Sequence, residues 1–453
     1  VGEGWSHDPT QSGRTAVGIR EKGALSLTEF KDKEGGVSLV ELGSFEVPRL
    51  HDELGYGLFT LQYGRIPARN PASVPPLVFF AGGPGDSPLA WLAHPHLRKA
   101  FEELAESQDV ILWEQRGCGR SEPQWHLGPI EGADLLATEE AALAALTQQA
   151  RTLIEGLPGY NPAFLTPWES ARDIPLLAKH LGVEKIDILA VSYGTHLAMA
   201  LMKAAPDLID HAVFCGFEGP DQTWKFAAPF SRQLERYYET SDETSSRTFE
   251  EVYEWPNAAH CVRVAVERLK ENPVTLPDGS KVSDFGLKWM LTSWLGLSSR
   301  IKLAKSVCQG IVADDPAPLA KAASGFRKSL QRPAAFYLND LASSCSPSRW
   351  ERIMKEEGSL FAPNPNFPFP MIRDAWGQVP LPDWFREDCK WEGALLVMMG
   401  DHDCFTPPDN YFDSAIALNH RNGFVISEAA HDQFLGHRLA MDLIENFLAD
   451  SPA

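Results

Sequence analysis

Three side-chain types suited to acyl transfer occur in one order along this chain: Ser192, then an aspartate at 401 or 403, then His431. A serine hydroxyl is a weak nucleophile by itself. It needs an imidazole to take its proton and a carboxylate to hold that imidazole in the right tautomer. Ser192 lies in "KIDILAVSYGTHLAMAL", where the apolar run from Ile186 to Val191 meets Ser-Tyr-Gly-Thr and then turns helical in its periodicity. A strand that bends sharply into a helix at a serine is the geometry of a nucleophile elbow, usually written Gly-x-Ser-x-Gly. Here Ala190 holds the first glycine place. On the local pattern alone, Ser192 reads equally well as a helix N-cap.

The partners decide between these readings. "LVMMGDHDCFTPP" ends one apolar run with Asp401 and Asp403, and "FVISEAAHDQF" ends the next with His431. Singly, these are a turn aspartate and a loop histidine. All three at strand ends, in the order serine, acid, histidine, select catalysis. Acyl transfer also needs donors aimed at the developing oxyanion. The N–H of Tyr193, directly after the nucleophile, is one. The other falls to "FFAGGPGDSP", where Gly82 and Gly83 let the backbone approach a substrate oxygen and Pro84 stiffens the turn. No Gly-Lys-[Ser/Thr] follows, so a phosphate-binding P-loop is excluded. A metal site built from His402, Asp403, Cys404, His431 and Asp432 would lack the helical His-x-x-x-His spacing, so neither metal nor other cofactor is expected.

Elements that could place these residues alternate along the chain. Strand-like runs begin at Gly36, Gly57, Pro76, Asp109, Ile186, His211, Gly393 and Gly423, eight in all. The first two alternate in polarity and look antiparallel. The later ones are continuous apolar runs, as in a buried parallel sheet, with helical stretches between them. From about Pro220 helical periodicity takes over. The expected organisation is an N-terminal extension over residues 1–35 (a tag remnant or processed end), an α/β core over 36–219 and 392–453, and a helical cap over 220–391. The carboxyl ends of the strands, where α/β sheets bind ligands, would lie beneath that cap.

Bulk composition narrows the partners. The 453 residues carry 61 acidic against 41 basic side chains, a formal charge of −20, which argues against nucleic acid. No run of eighteen apolar residues suggests a membrane span, and the polar N-terminus lacks a signal-peptide core. Seven scattered cysteines without a Cys-x-x-Cys pair fit a reducing compartment, so a cytoplasmic location is expected.

"AGGPGDSP", "WEQRGCGRSEP", "AVSYGTHLA", "GFEGPDQTW", "GDHDCFTPP" and "AAHDQ" together resemble the proline iminopeptidase and tripeptidyl-aminopeptidase branch of the α/β-hydrolases, across roughly residues 36–219 and 392–450. The resemblance implies an α/β-hydrolase fold, an eight-stranded, mostly parallel sheet with an inserted helical cap. It implies a serine hydrolase with an acyl-enzyme mechanism, Ser192 as nucleophile, His431 as base, and Tyr193 with Gly82 or Gly83 as the oxyanion hole. Asp403 is favoured over Asp401 because the family pattern Gly-x-x-Asp-x-x-Thr-Pro is met by Gly400, Asp403, Thr406 and Pro407. Departures occur at Ala81, Glu114, Ala190, Ala430 and Asp432. They leave two activities open: an aminopeptidase-like cleavage of an N-terminal amide, or hydrolysis of a small apolar ester or lactone. The substrate is in either case a small molecule or short peptide.

Aminopeptidases of this type hold the free α-amino group with carboxylates near the cap. In the acid-rich stretch from Glu218 to Glu254, Glu218 and Asp221 are the candidates, against the alternative of a solvated acidic face. Trp224, with Phe226, Trp289, Trp294, Trp376 and Trp384, is a candidate for lining an apolar pocket, against the alternative of cap core.

Overall fold

Continuous apolar runs can be buried on both faces only inside a sheet covered by helices on either side. In a computed structural model of the chain, which describes residues 26–130, 132, 134–236, 257–414 and 422–449, these runs form the middle of one sheet. Residues 1–25 of the N-terminal extension and 237–254 of the acid-rich stretch lie outside the described residues.

The strands in chain order are β1 (Ser26–Lys31), β2 (Val37–Pro48), β3 (Leu58–Ile66), β4 (Leu77–Phe80), β5 (Val110–Glu114), β6 (Ile186–Val191) and β7 (Ile209–Cys215). A small hairpin, β8 (Val274–Thr275) and β9 (Lys281–Val282), precedes β10 (Ala394–Gly400) and β11 (Gly423–Ile426). Apart from that hairpin, nine strands pair in the order β1-β2-β3-β5-β4-β6-β7-β10-β11. Every residue of β4, β5 and β6 is buried. The pairs from β5 through β4, β6, β7 and β10 to β11 are parallel, while β1, β2 and β3 join antiparallel.

The count is nine and not the expected eight. The additional strand, β1, falls within residues 1–35 and pairs with β2 from Ser26↔Leu42 to Lys31↔Val37. It is an edge strand with no buried residue, so "SLTEFK" carries no core-facing apolar stripe that would mark it in the sequence.

Ordinary helix signals fix the element ahead of β6. Thr166 caps the Pro167–Leu181 helix by accepting from the Glu169 N–H, proline occupies its first turn, and Gly182 ends it in the left-handed conformation. Its Asp173 meets Arg116 in a buried bidentate pair (2.6 and 2.7 Å), and both side chains are wholly inaccessible. Arg116 also donates to the carbonyls of Pro48 and Arg49, tying β2, the turn after β5 and this helix together. Removing one partner strands a buried charge. Asp173→Ala is therefore expected to cost about 3–5 kcal/mol of stability, read as a lowered denaturant midpoint.

Between β7 and β10 the chain is mainly helical, with helices at Ala258–Glu271, Asp284–Thr292, Ser298–Val312, Ala317–Ser329, Ala334–Ser343 and Pro347–Met354. They share a core that includes Trp289, Trp294, Phe326 and Trp376. All seven cysteines are free thiols. Among the described residues no helix is long and apolar enough to cross a membrane.

Candidate active site

Parallel register brings several strand ends to one edge of the sheet. Phe80 of β4 is opposite Ala190 of β6, Val191 is opposite Cys215 of β7, and Gly400 of β10 is opposite Ile426 of β11. The loops that follow carry Gly82, Ser192, Asp403 and His431. The elbow is sharp: Ser192 has φ 58° and ψ −127°, a left-handed conformation that costs a non-glycine residue energy. It is clamped from both sides. The Ser192 N–H donates to the Cys215 carbonyl (2.9 Å), and its own carbonyl accepts from the N–H and hydroxyl of Thr195 (2.8 Å each). Gly194 permits the following helix, Tyr193–Ala204, to press on β4, since a Cβ there would stand 2.1 Å from the Phe80 carbonyl oxygen. As the first residue of that helix, Tyr193 has an N–H with no carbonyl one turn earlier to satisfy it.

The glycine loop lies against the elbow. A Cβ at Gly82 would stand 3.1 Å from the Cβ of Ser192 and 3.6 Å from its Oγ. Glu114 braces this loop from below. Its buried carboxylate accepts from Ser87 and from the Arg120 N–H (2.8 Å), and burial, only partly opposed by those bonds, raises its pKa.

On the other side of the edge, His431 Nδ1 lies 2.7 Å from Asp403 Oδ2. Asp403 is buried and accepts from the N–H groups of Phe405 (2.8 Å) and Thr406 (2.9 Å) and from the Thr406 hydroxyl (2.6 Å). Burial would raise its pKa, but the His431 charge and these hydrogen bonds hold it below the ordinary carboxylate value. For His431 the balance runs the other way. Burial disfavours the imidazolium, yet Asp403 outweighs it and the pKa rises. A proton on Nδ1, directed at Asp403, leaves Nε2 as the ring's acceptor. Asp401 is committed elsewhere, to His402 Nδ1 at 2.7 Å. The helical segment grips the histidine loop: the His431 N–H donates to the Gly296 carbonyl (3.0 Å), and Asp432 accepts from the N–H groups of Ser298 (2.8 Å) and Ser299 (3.2 Å).

One cavity of about 1030 Å³ is lined by Gly82, Gly83, Ser192, His431, Glu218 and Trp224 together. The other sequence candidates separate from it. Asp221 is not among the lining residues, and its carboxylate accepts from the N–H (2.5 Å) and hydroxyl (2.6 Å) of Ser346, the N-cap residue of a helix. Trp289, Trp294 and Trp376 belong to the core, and Trp384 is 41% exposed. Glu218, only 4% exposed, is anchored through its N–H to the Thr195 hydroxyl (2.8 Å) and carries the Lys225 ammonium on its carboxylate.

Asp340 lines the same cavity and was not anticipated. It accepts from the Trp224 indole N–H (3.0 Å), and burial, with the nearby charge of Glu218, pushes its pKa up to about 8. Its one sequence signal is being the sole charged residue type in the helix "AAFYLNDLAS". Among the described residues, side-chain donors close enough for a metal gather only at Asp187, Asp210 and His211. These lie near the start of β6 and β7, the opposite edge from Ser192.

Comparison with known proteins identifies the family. A family model described as alpha/beta hydrolase fold matches residues 75–437. The tripeptidyl aminopeptidase of Streptomyces coelicolor is 30% identical over 159 residues, which are 33% of this chain and 29% of that protein. The chain thus spans less than a third of that relative's length. Among solved structures, the proline iminopeptidase-related protein from Thermus thermophilus is 17% identical (TM-score 0.37), with 90% of this chain and 98% of that one covered. A thermophilic esterase from Thermogutta terrifontis is 16% identical (TM-score 0.37), with 91% and 100% covered.

Proposed function

Because the chain belongs to the alpha/beta hydrolase fold family, we propose that it is a serine hydrolase working through an acyl-enzyme, with aminopeptidase-like specificity. The observation that carries this reading is His431, paired with the buried Asp403, on the wall of the cavity that Ser192 and Gly82 also line. Ser192 Oγ attacks the scissile carbonyl while His431 Nε2 takes its proton. The oxyanion is received by the N–H of Tyr193 and that of Gly82 or Gly83. The leaving group departs with the proton held by His431, and water, activated by the same imidazole, releases the acid. Residues 36–219 and 392–453 act as the catalytic core, and 220–391 as a cap over the cavity.

Glu218 and Asp340 support a free-amine substrate. Both are buried carboxyls on the cavity wall, and an arriving ammonium would offset the burial that holds Asp340 protonated and favour its carboxylate form. The name carried by the Streptomyces relative points the same way. A second reading, ester or lactone hydrolysis, is favoured by one feature: Lys225 already neutralises Glu218, beside an apolar wall of Trp91, Trp224, Phe336, Phe369 and Phe405. The test is turnover of an aminoacyl arylamide, its N-acetylated counterpart and a neutral aryl ester. The free amine is expected to raise kcat/KM by about 10- to 100-fold over the acetylated form, the worth of a charge-assisted hydrogen bond. Turnover of the neutral ester alone would replace this reading with the second.

A further inference from the structure

The cavity's charge runs against that of the molecule. On a chain of net charge −20, its wall carries Lys33, Arg300, Lys302, Lys321, Lys328 and Arg332. None of these six pairs within 4.0 Å with a carboxylate among the described residues. A seventh cation, Lys225, is spent on Glu218. The acids on the same wall are largely committed. Asp432 caps the Ser298–Val312 helix, and Asp340 is buried against Trp224. Unpaired lysines gathered on one wall of an acidic protein repel one another, so the arrangement is costly unless an anion joins it.

Position separates this cationic wall from the reacting groups. Lys33, Lys302, Lys321 and Lys328 are exposed, whereas Glu218 and Asp340 are buried and Ser192 and His431 partly so. These four lysines therefore form the outer part of the cavity. Arg300 and Arg332 are half-buried, and Arg332 stacks on an aromatic ring. Its guanidinium lies 4.2 Å from the centre of the Phe336 ring and donates to the Ser329 carbonyl (3.2 Å). Phe336 in turn covers the glycine loop, its N atom 3.2 Å from where a Cβ on Gly85 would be.

We propose that this cationic rim binds carboxylates on the leaving portion of the substrate, which makes the preferred substrate a short acidic peptide. The inference rests on the aminopeptidase-like reading, in which the N-terminal residue lies deep, near Glu218 and Asp340, and the rest of the peptide extends towards the mouth. The rim supplies attraction over roughly a Debye length, against the repulsion of the molecule as a whole. It also makes affinity depend on salt.

The test is calorimetric titration of the Ser192→Ala protein with Ala-Ala-Ala-Asp-Glu and with its carboxylate-free counterpart Ala-Ala-Ala-Asn-Gln-amide, both with a free α-amino group. The acidic peptide is expected to bind about tenfold more tightly at low ionic strength, the worth of two or three partly exposed ion pairs. The difference should shrink to about twofold near 0.5 M salt. K302E/K328E, with Ser192 restored, should erase the preference and still react with a fluorophosphonate. Equal binding, tighter binding of the carboxylate-free peptide, or binding of neither overturns the rim proposal. Fluorophosphonate labelling of Ser192 with no acidic preference would remove the rim and leave the hydrolase standing. Acidic preference without labelling would remove the serine mechanism and leave the rim.

Discussion

Ser192→Ala is expected to lower kcat by about 10⁴- to 10⁶-fold with the fold intact. Alanine keeps the Cβ that fits beside Gly82 and loses only the Oγ, and the clamps on residue 192 are made by backbone atoms. Thermal midpoint should therefore change little while turnover collapses. KM should move far less than kcat, because the cavity wall and its carboxyls are untouched. A fall of tenfold or less, on a substrate the native protein cleaves, would mean that another group attacks the carbonyl.

Asp403→Asn carries the second large effect, and it has a pH signature. The amide can donate to His431 Nδ1, which turns the ring to the tautomer that presents a proton rather than a lone pair to the serine. Loss of about 10⁴-fold in kcat is expected. The working base is neutral His431. In the native protein burial lowers its pKa but the Asp403 charge and hydrogen bond prevail, so the net value lies above the ordinary 6.5. Activity should accordingly rise with pH through a midpoint above 6.5, measured as kcat/KM of the free enzyme. With asparagine the raising contribution is gone and burial remains, so the residual activity should show its midpoint shifted to lower pH. An unshifted midpoint would mean that the titrating group is not paired with Asp403.

The sequence made the fold legible where burial leaves a pattern. β4, β5 and β6 are continuous apolar runs because both faces are covered, and their ends are marked by glycine, proline and aspartate. The residues Gly82, Ser192 and His431 could be assigned to one place because a parallel sheet delivers successive strand ends to one edge. Where burial is one-sided or contingent, the reading failed. Strand β1 has no buried residue to signal it. Glu218 and Asp221 are equivalent in composition, yet Thr195 anchors one in the cavity and Ser346 draws off the other, a difference made by elements more than a hundred residues apart for Asp221. Asp340 and the cationic rim depend on how the helices between β7 and β10 pack over the sheet edge, which periodicity does not encode.

The central claim, an activated Ser192 nucleophile, is met most directly by intact mass and peptide mapping after reaction with a fluorophosphonate. One adduct on Ser192 in the native protein, absent from Ser192→Ala and much slower to form in His431→Ala, is the expected result. No adduct, or one on another residue that survives Ser192→Ala, would contradict the mechanism.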